Sequence, residues 1–105
     1  MFGFHGGVHR NADPIYNIPN KTIIKTTVDD LPLRVSALRT LGAYANVFAI
    51  ESFMDELAYF SNQDPIAFRL KHLDNKRARS VIEKAAEISN WNYTTDYNGS
   101  GKGIG

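Results

Sequence analysis

Residues 38–58 constrain the fold more than any other part of this 105-residue chain. They begin with an Arg-x-x-Gly turn, Arg39 to Gly42, and continue in a helical pattern that is apolar on nearly every side. A helix on the surface of a small protein needs only one apolar stripe, because its other faces contact water. We therefore expect this helix to be an element of something larger.

The first helix is predicted over residues 46–62, with Asn46 as the N-cap that binds the free N–H groups of the first turn. Apolar residues recur at helical spacing along one stripe, and others widen that stripe beyond the single face of a surface helix. These residues are Val47, Ile50, Met54, Leu57, Phe48, Ala49, Phe53 and Phe60.

Two further helices are predicted downstream. Asp64 followed by Pro65 is typical of an N-cap with proline at the first helical position, and it predicts a helix to residue 73. Asp74 is the predicted cap of a third helix over residues 75–90. The predicted inward positions are Ile66, Ala67, Leu70 and Leu73 in the second helix and Ala78, Val81, Ile82, Ala85 and Ile88 in the third.

The remaining segments carry weaker patterns. Residues 1–20, rich in Gly, Asn, His and Pro, are predicted to be an irregular arm. Residues 21–45 contain a short β-branched strand, TIIKTTV at 22–28, and the turn. Residues 46–91 hold the three helices and residues 92–105 a glycine-rich tail. The prediction is an α+β fold in a single partial domain over residues 1–105, with one or two short strands and three packed helices.

Composition excludes several classes of function. With 12 basic and 11 acidic residues the net charge is +1, which provides no electrostatic attraction to nucleic acid. The absence of cysteine excludes disulfides and thiolate metal sites and suits a reducing, cytoplasmic location. No apolar run reaches the length of about 18 residues that a membrane-spanning helix needs.

A few side chains could carry chemistry. Glu51 and Asp55 share a helix face and could divide the roles of acid and base, or could bind nearby backbone or an arginine of a larger protein. His5 and His9 have metal-ligand spacing, but two intervening glycines argue for loop histidines instead. Arg39 precedes a helix N-terminus, where N–H groups and the helix dipole favour an anion.

Three segments together carry a family resemblance: YNIPN at 16–20, LRTLG at 38–42, and FAIESFMDELA followed by DPIAFR within 48–69. They resemble the molybdopterin-binding large subunit of the xanthine dehydrogenase/aldehyde oxidase family, in the branch typified by the β-subunit of isoquinoline 1-oxidoreductase. The likeness extends from about residue 14 to the last glycines, and it implies that this chain is an internal fragment of such a subunit.

The resemblance implies roles for the turn. Arg39, Thr40 and Gly42 would contact the molybdopterin cofactor, and Leu41 would line the substrate pocket. Two residues depart from the family pattern: Leu41 replaces a phenylalanine, which removes a stacking surface, and Thr40 replaces a glycine, which hinders close backbone approach. The resemblance assigns no catalytic residue and no metal-ligating side chain to this chain, because the family's catalytic glutamate matches no segment of it.

The implied parent function is hydroxylation of an aldehyde or N-heterocycle with water as the oxygen source. Its partners would be the rest of the molybdenum subunit and a two-iron two-sulfur subunit, and the resemblance leaves a periplasmic parent open. The isolated chain is expected to be inactive and to hold no cofactor. The alternative is a non-enzymatic helical interaction or dimerisation module, in which two copies bury Val47, Phe48, Ile50 and Phe53 between them.

Overall fold

The fold is known from a computed structural model that describes residues 7–28, 30–33, 38–92 and 101–105. These residues form a 3₁₀ turn and three helices: Gly7–His9, α1 (Ala43–Phe60), α2 (Pro65–Lys71) and α3 (Lys76–Ile88). The short helix α2 packs against both α1 and α3, and the 3₁₀ turn lies against α1. The prediction of three packed helices is confirmed.

Helix α1 begins earlier than predicted, and Asn46 is not its cap. Gly42 occupies the N-cap position, and no side chain of the described residues caps it. Asn46 lies inside the helix, where its Nδ2 donates to the carbonyl oxygens of Val8 (2.7 Å) and Arg10 (2.8 Å). The N-cap prediction was wrong because right-handed helical backbone begins at Gly42, with φ of −72° and ψ of −16°, four residues before Asn46.

Helix α2 begins as predicted. The Asp64 carboxylate accepts a hydrogen bond from the N–H of Ala67 at 2.8 Å, and Pro65 occupies the first helical position. The second carboxylate oxygen accepts from the indole Nε1 of Trp91 at 2.7 Å. Asp64 therefore joins the start of α2 to the segment that follows α3.

We expect Asp64→Ala to lower the free energy of unfolding by about 1–2 kcal/mol, because both hydrogen bonds are lost. Urea unfolding followed by far-UV circular dichroism measures this change. Asp64→Asn is the matched control, since asparagine is an equally good N-cap and loses only the acceptor for Trp91. Equal losses in the two variants would contradict the capping role.

Helix α3 has a different cap from the predicted one. The Asn75 side chain accepts from the N–H of Ala78 at 3.1 Å and occupies the N-cap position. Asp74, the predicted cap, instead accepts from Nδ2 of Asn17 at 2.6 Å. The prediction was wrong by one residue because Asp74 is engaged by a residue distant in sequence.

The predicted strand is absent from the described part of the chain. Residues 22–28 are exposed and belong to no sheet. A strand is stable only when its backbone groups pair with a neighbouring strand, and the described residues supply none. The described unit is therefore helical, and the strand part of the α+β prediction is wrong for it. His5 and residues 93–100 of the predicted tail lie outside the described residues.

The core lies where α1, α2 and the start of α3 meet. Its buried members are Tyr16, Met54, Ala58, Phe68 and Leu73, and the half-buried residues packed on them are Ile50, Leu57, Ala78 and Ile82. Val81 and Ile88 of the predicted α3 stripe are 68% and 71% exposed. Only the first part of that stripe therefore faces the core.

Much of α1 stays open to water. Phe48 is 70% exposed, Phe53 57% and Phe60 81%. Apolar side chains of this size are rarely left exposed together on a monomeric protein. None of the described helices has the length and apolar character needed to cross a bilayer.

Candidate functional site

The residues predicted to bind a cofactor lie in one tight turn directly before α1. Within it the N–H of Leu41 donates to the carbonyl oxygen of Leu38 at 3.1 Å. Thr40 and Leu41 both adopt left-handed backbone conformations, with φ of 67° and 56°. The turn therefore brings Arg39, Thr40, Leu41 and Gly42 together within one compact segment.

Two consecutive left-handed residues other than glycine strain this turn. An L-residue in that region costs about 1–2 kcal/mol, and a β-branched residue such as Thr40 is especially unfavourable there. The glycine that the family pattern has at this position would adopt the same conformation without strain. Contacts from elsewhere in the chain must hold the turn in place.

Those contacts come from the N-terminal loop, defined here as Gly7–Arg10. The N–H of Gly42 donates to the carbonyl oxygen of Gly7 at 3.1 Å. A Cβ atom on Gly42 would lie 2.5 Å from the carbonyl oxygens of Gly7 and Val8, closer than a real Cβ approaches. Because φ of Gly42 is −72°, the glycine is required by this close approach and not by its conformation.

Leu41, the predicted substrate-pocket residue, contacts the same loop. A Cβ on Gly7 would lie 3.0 Å from Cδ1 of Leu41, so the leucine side chain covers the open face of that glycine. Leu41 nevertheless stays 45% exposed. One side of the Leu41 side chain therefore packs on the loop, and the other side is exposed to solvent.

Two grooves adjoin the turn and share Tyr44. The smaller, of about 300 Å³, is lined by Leu38, Arg39, Thr40 and Tyr44. The larger, of about 470 Å³, runs along α1 beside residues 103–105. The structure thus places two of the predicted cofactor-binding residues, Arg39 and Thr40, at an open cavity.

The paired carboxylates of α1 bind an arginine. Arg69 is only 1% exposed, its Nε donates to Oε2 of Glu51 at 2.9 Å, and its Nη1 donates to Oδ1 of Asp55 at 2.6 Å. Of the alternatives left open by the sequence, arginine binding is confirmed, although the arginine belongs to this chain. Both carboxylates are engaged, so the arrangement is not that of a free acid and base.

The remaining N–H groups of Arg69 are also satisfied. Nη1 donates to the carbonyl oxygen of Pro65 at 3.2 Å, and Nη2 donates to those of Glu51 (3.0 Å) and Ile104 (3.3 Å). A guanidinium has five N–H donors, and each has an acceptor here. Burial opposes the charge, but the hydrogen bonds to Asp55 and Glu51 outweigh it and raise the pKa of Arg69 above its ordinary value.

Tyr16 completes this cluster, which sequence reasoning did not predict. Its hydroxyl donates to the Glu51 carboxylate, with both oxygens at 3.0 Å. Burial, and secondarily the negative charge of Glu51, raise the pKa of Tyr16 to about 12. The four side chains Tyr16, Glu51, Asp55 and Arg69 form what we call the Arg69 cluster. Its hydrogen bonds connect four parts of the chain: the segment before α1, α1, α2 and residues 101–105.

The Tyr16 hydroxyl predicts a loss of stability at alkaline pH. Its pKa is about 12 in the folded chain and about 10 in an unfolded one, so its contribution is complete below pH 10 and is lost as pH rises through 12. We expect the free energy of unfolding to fall over that interval, and to fall less in Tyr16→Phe.

Urea unfolding at a series of pH values measures this fall. Tyr59→Phe is the control, because it removes the same hydroxyl group from a tyrosine that is 70% exposed. Identical alkaline losses in Tyr16→Phe and Tyr59→Phe would contradict the prediction.

Comparison with known proteins finds relatives that are much longer than this chain and match it over a short part of their length. No family model matches the chain, and neither does any solved structure. A nicotinate dehydrogenase subunit of Pseudomonas putida KT2440 is 41% identical over 84 residues, which are 78% of this chain and 7% of that protein. The beta subunit of isoquinoline 1-oxidoreductase from Brevundimonas diminuta is 36% identical over 72 residues, 68% of this chain and 9% of that protein.

The chain therefore spans less than a tenth of the length of these relatives. A match over 68% or more of 105 residues covers the middle of the chain wherever it begins, and the middle contains the Arg39–Gly42 turn and α1. The family resemblance predicted from the sequence is confirmed. This chain is partly homologous to the large subunits of molybdenum hydroxylases.

Proposed function

We propose that the chain is part of a molybdenum hydroxylase large subunit that hydroxylates an aldehyde or N-heterocycle with water as the oxygen source. The observation that carries this proposal is 41% identity over 78% of the chain to a nicotinate dehydrogenase subunit. Because the chain spans 7% of that relative, it supplies one part of a site. Catalysis needs nucleophile, base and cofactor held together, so the isolated chain is inactive.

The turn suits a position at the edge of a cofactor site. Arg39 and Thr40 line an open groove beside the N-terminus of α1, where helix N–H groups provide partial positive charge. Arg39 adds a full positive charge, and an anionic cofactor such as molybdopterin is favoured by both. When bound, molybdopterin supplies the redox chemistry of the hydroxylation.

The residues of this chain bind and orient. Arg39 and Thr40 contact the cofactor through the turn backbone, and Gly42 fixes that backbone by its close packing on Gly7. The exposed part of Leu41 lines the substrate pocket. A leucine there contacts a planar ring over a smaller area than a phenylalanine does, which favours smaller or non-aromatic substrates.

The partners follow from the same relationship. Both relatives are named as subunits, and we propose the rest of the molybdenum subunit and a two-iron two-sulfur subunit as partners. The rest of the subunit covers the exposed aromatic side chains of α1, including Phe48 and Phe53. This accounts for a helix that is apolar on nearly every side.

Molybdenum and pterin analysis tests the proposal. We expect stoichiometric molybdenum and pterin in the purified full-length protein that contains this sequence, and neither in the isolated 105-residue chain. A full-length protein without molybdenum would contradict the enzyme function. Stoichiometric molybdenum in the isolated chain would contradict its proposed role as one part of a site.

The exposed aromatic side chains of α1 also favour a second candidate, a helical dimerisation module. In that case two copies bury Phe48 and Phe53, and sedimentation equilibrium shows a dimer that Phe48→Glu dissociates. Glu56→Gln, at an exposed polar position of the same helix, is the control. A monomer at concentrations of about 100 μM would exclude a tight dimer, because such interfaces associate well below that range.

A further inference from the structure

Asn46 connects α1 to the N-terminal loop through both donors of its side chain. Its Nδ2 lies 2.7 Å from the carbonyl oxygen of Val8 and 2.8 Å from that of Arg10. A carboxamide NH₂ group has two N–H donors, and each is directed to a different residue of the loop. The loop is closed on itself by the N–H of Arg10, which donates to the carbonyl oxygen of Gly7 at 3.0 Å.

The loop in turn contacts the strained turn directly. Gly7 accepts from the N–H of Gly42 and is covered by the side chain of Leu41. The strain at Thr40 and Leu41 has to be balanced by such contacts, because an isolated turn would relax to right-handed or extended backbone. Without Asn46, among the described residues, the loop would be held by the hydrogen bond from Gly42 to Gly7 and by its packing on Leu41 and Gly42.

The geometry points to Asn46 as a positioning residue that acts through the N-terminal loop to hold Thr40 and Leu41 in their left-handed conformations. Asn46 does not itself line the groove beside Arg39. The structural part of the inference depends only on contacts within the 105-residue chain. The proposed function is needed only for the statement that the turn binds a cofactor.

A thiol pair measures how firmly the loop rests on the turn. The chain has no cysteine, so Gly7→Cys with Leu41→Cys introduces a single pair. A Cβ on Gly7 would lie 3.1 Å from that of Leu41, and a shift of about 0.5 Å reaches disulfide geometry. The effective concentration of the two thiols, measured against glutathione, reports how often the loop is docked.

We expect Asn46→Ala to lower this effective concentration about tenfold, because two hydrogen bonds are lost. Asn46→Asp keeps the size of the side chain but has no donors at neutral pH, and we expect at least as large a decrease. Acid pH should restore part of the docking in Asn46→Asp, since a protonated carboxyl group can donate one hydrogen bond. Glu56→Ala, at an exposed position of α1, should change nothing.

Three results would overturn the inference. One is an effective concentration in Asn46→Ala within about twofold of the parent value, which is less than one net hydrogen bond contributes. Another is docking in Asn46→Asp that equals the parent at neutral pH, since the residue would then only fill space.

The third is that Asn46→Ala loses its helical circular dichroism signal as well as its docking, since Asn46 would then support the whole fold. Alanine is a better helix former than asparagine, so we expect α1 to persist. None of these readouts involves molybdenum, and a failure of the proposed function would appear in molybdenum content and not in thiol pairing.

Discussion

Arg69→Met will lower the free energy of unfolding by about 3 kcal/mol, a large fraction of the total stability of a chain this size. Methionine keeps much of the aliphatic volume but removes the buried guanidinium. Glu51, whose side chain is 19% exposed, is then left with an unpaired charge, and the carbonyl oxygen of Ile104 loses its donor. Breaking one partner of a buried ion pair is costly because the other charge stays desolvated.

Urea unfolding followed by far-UV circular dichroism measures this loss. Lys71→Met is the matched control, because it removes one positive charge from an exposed position of the same helix, and we expect a change below about 0.5 kcal/mol. Adding Glu51→Gln and Asp55→Asn to Arg69→Met should recover part of the stability, because no charge is then unpaired. Equal unfolding midpoints for Arg69→Met and Lys71→Met would contradict the prediction.

The Arg69 cluster shows what could not be predicted from the sequence. The spacing of Glu51 and Asp55 on one helix face was visible, and an arginine partner was among the alternatives. Arg69 lies 18 residues after Glu51, and Tyr16 lies 35 residues before Glu51. No local period links positions so far apart, so their contact depends on how α2 folds back onto α1.

Helix starts were predicted best where the signal is local. Asp64 with Pro65 sets the start of α2 through contacts within three residues, and that prediction is confirmed. Asn46 has equally good capping chemistry, but the N-terminal loop engages its side chain. A capping residue predicted from sequence is therefore reliable only when no distant segment competes for it.

The turn and the strand show the same limit. The Arg-x-x-Gly pattern indicated a turn, but Gly42 is required by contact with Gly7, 35 residues earlier. Residues 22–28 have strand-forming side chains, yet they have no strand to pair with in the described part of the chain. The roles of Arg39, Thr40, Leu41 and Gly42 toward a cofactor and substrate stay a proposal carried by the family relationship.

Leu73→Ala will lower the free energy of unfolding by about 2–5 kcal/mol, whereas Val81→Ala will change it by less than about 0.5 kcal/mol. Sequence periodicity places both on inward stripes, but Leu73 is 1% exposed and Val81 68%. The reason is length: α2 has 7 residues and spans about 10 Å, so it covers only half of the 13-residue α3. Urea unfolding of both variants measures the difference. Equal losses would contradict the prediction, because they would mean that Val81 is as well buried in solution as Leu73.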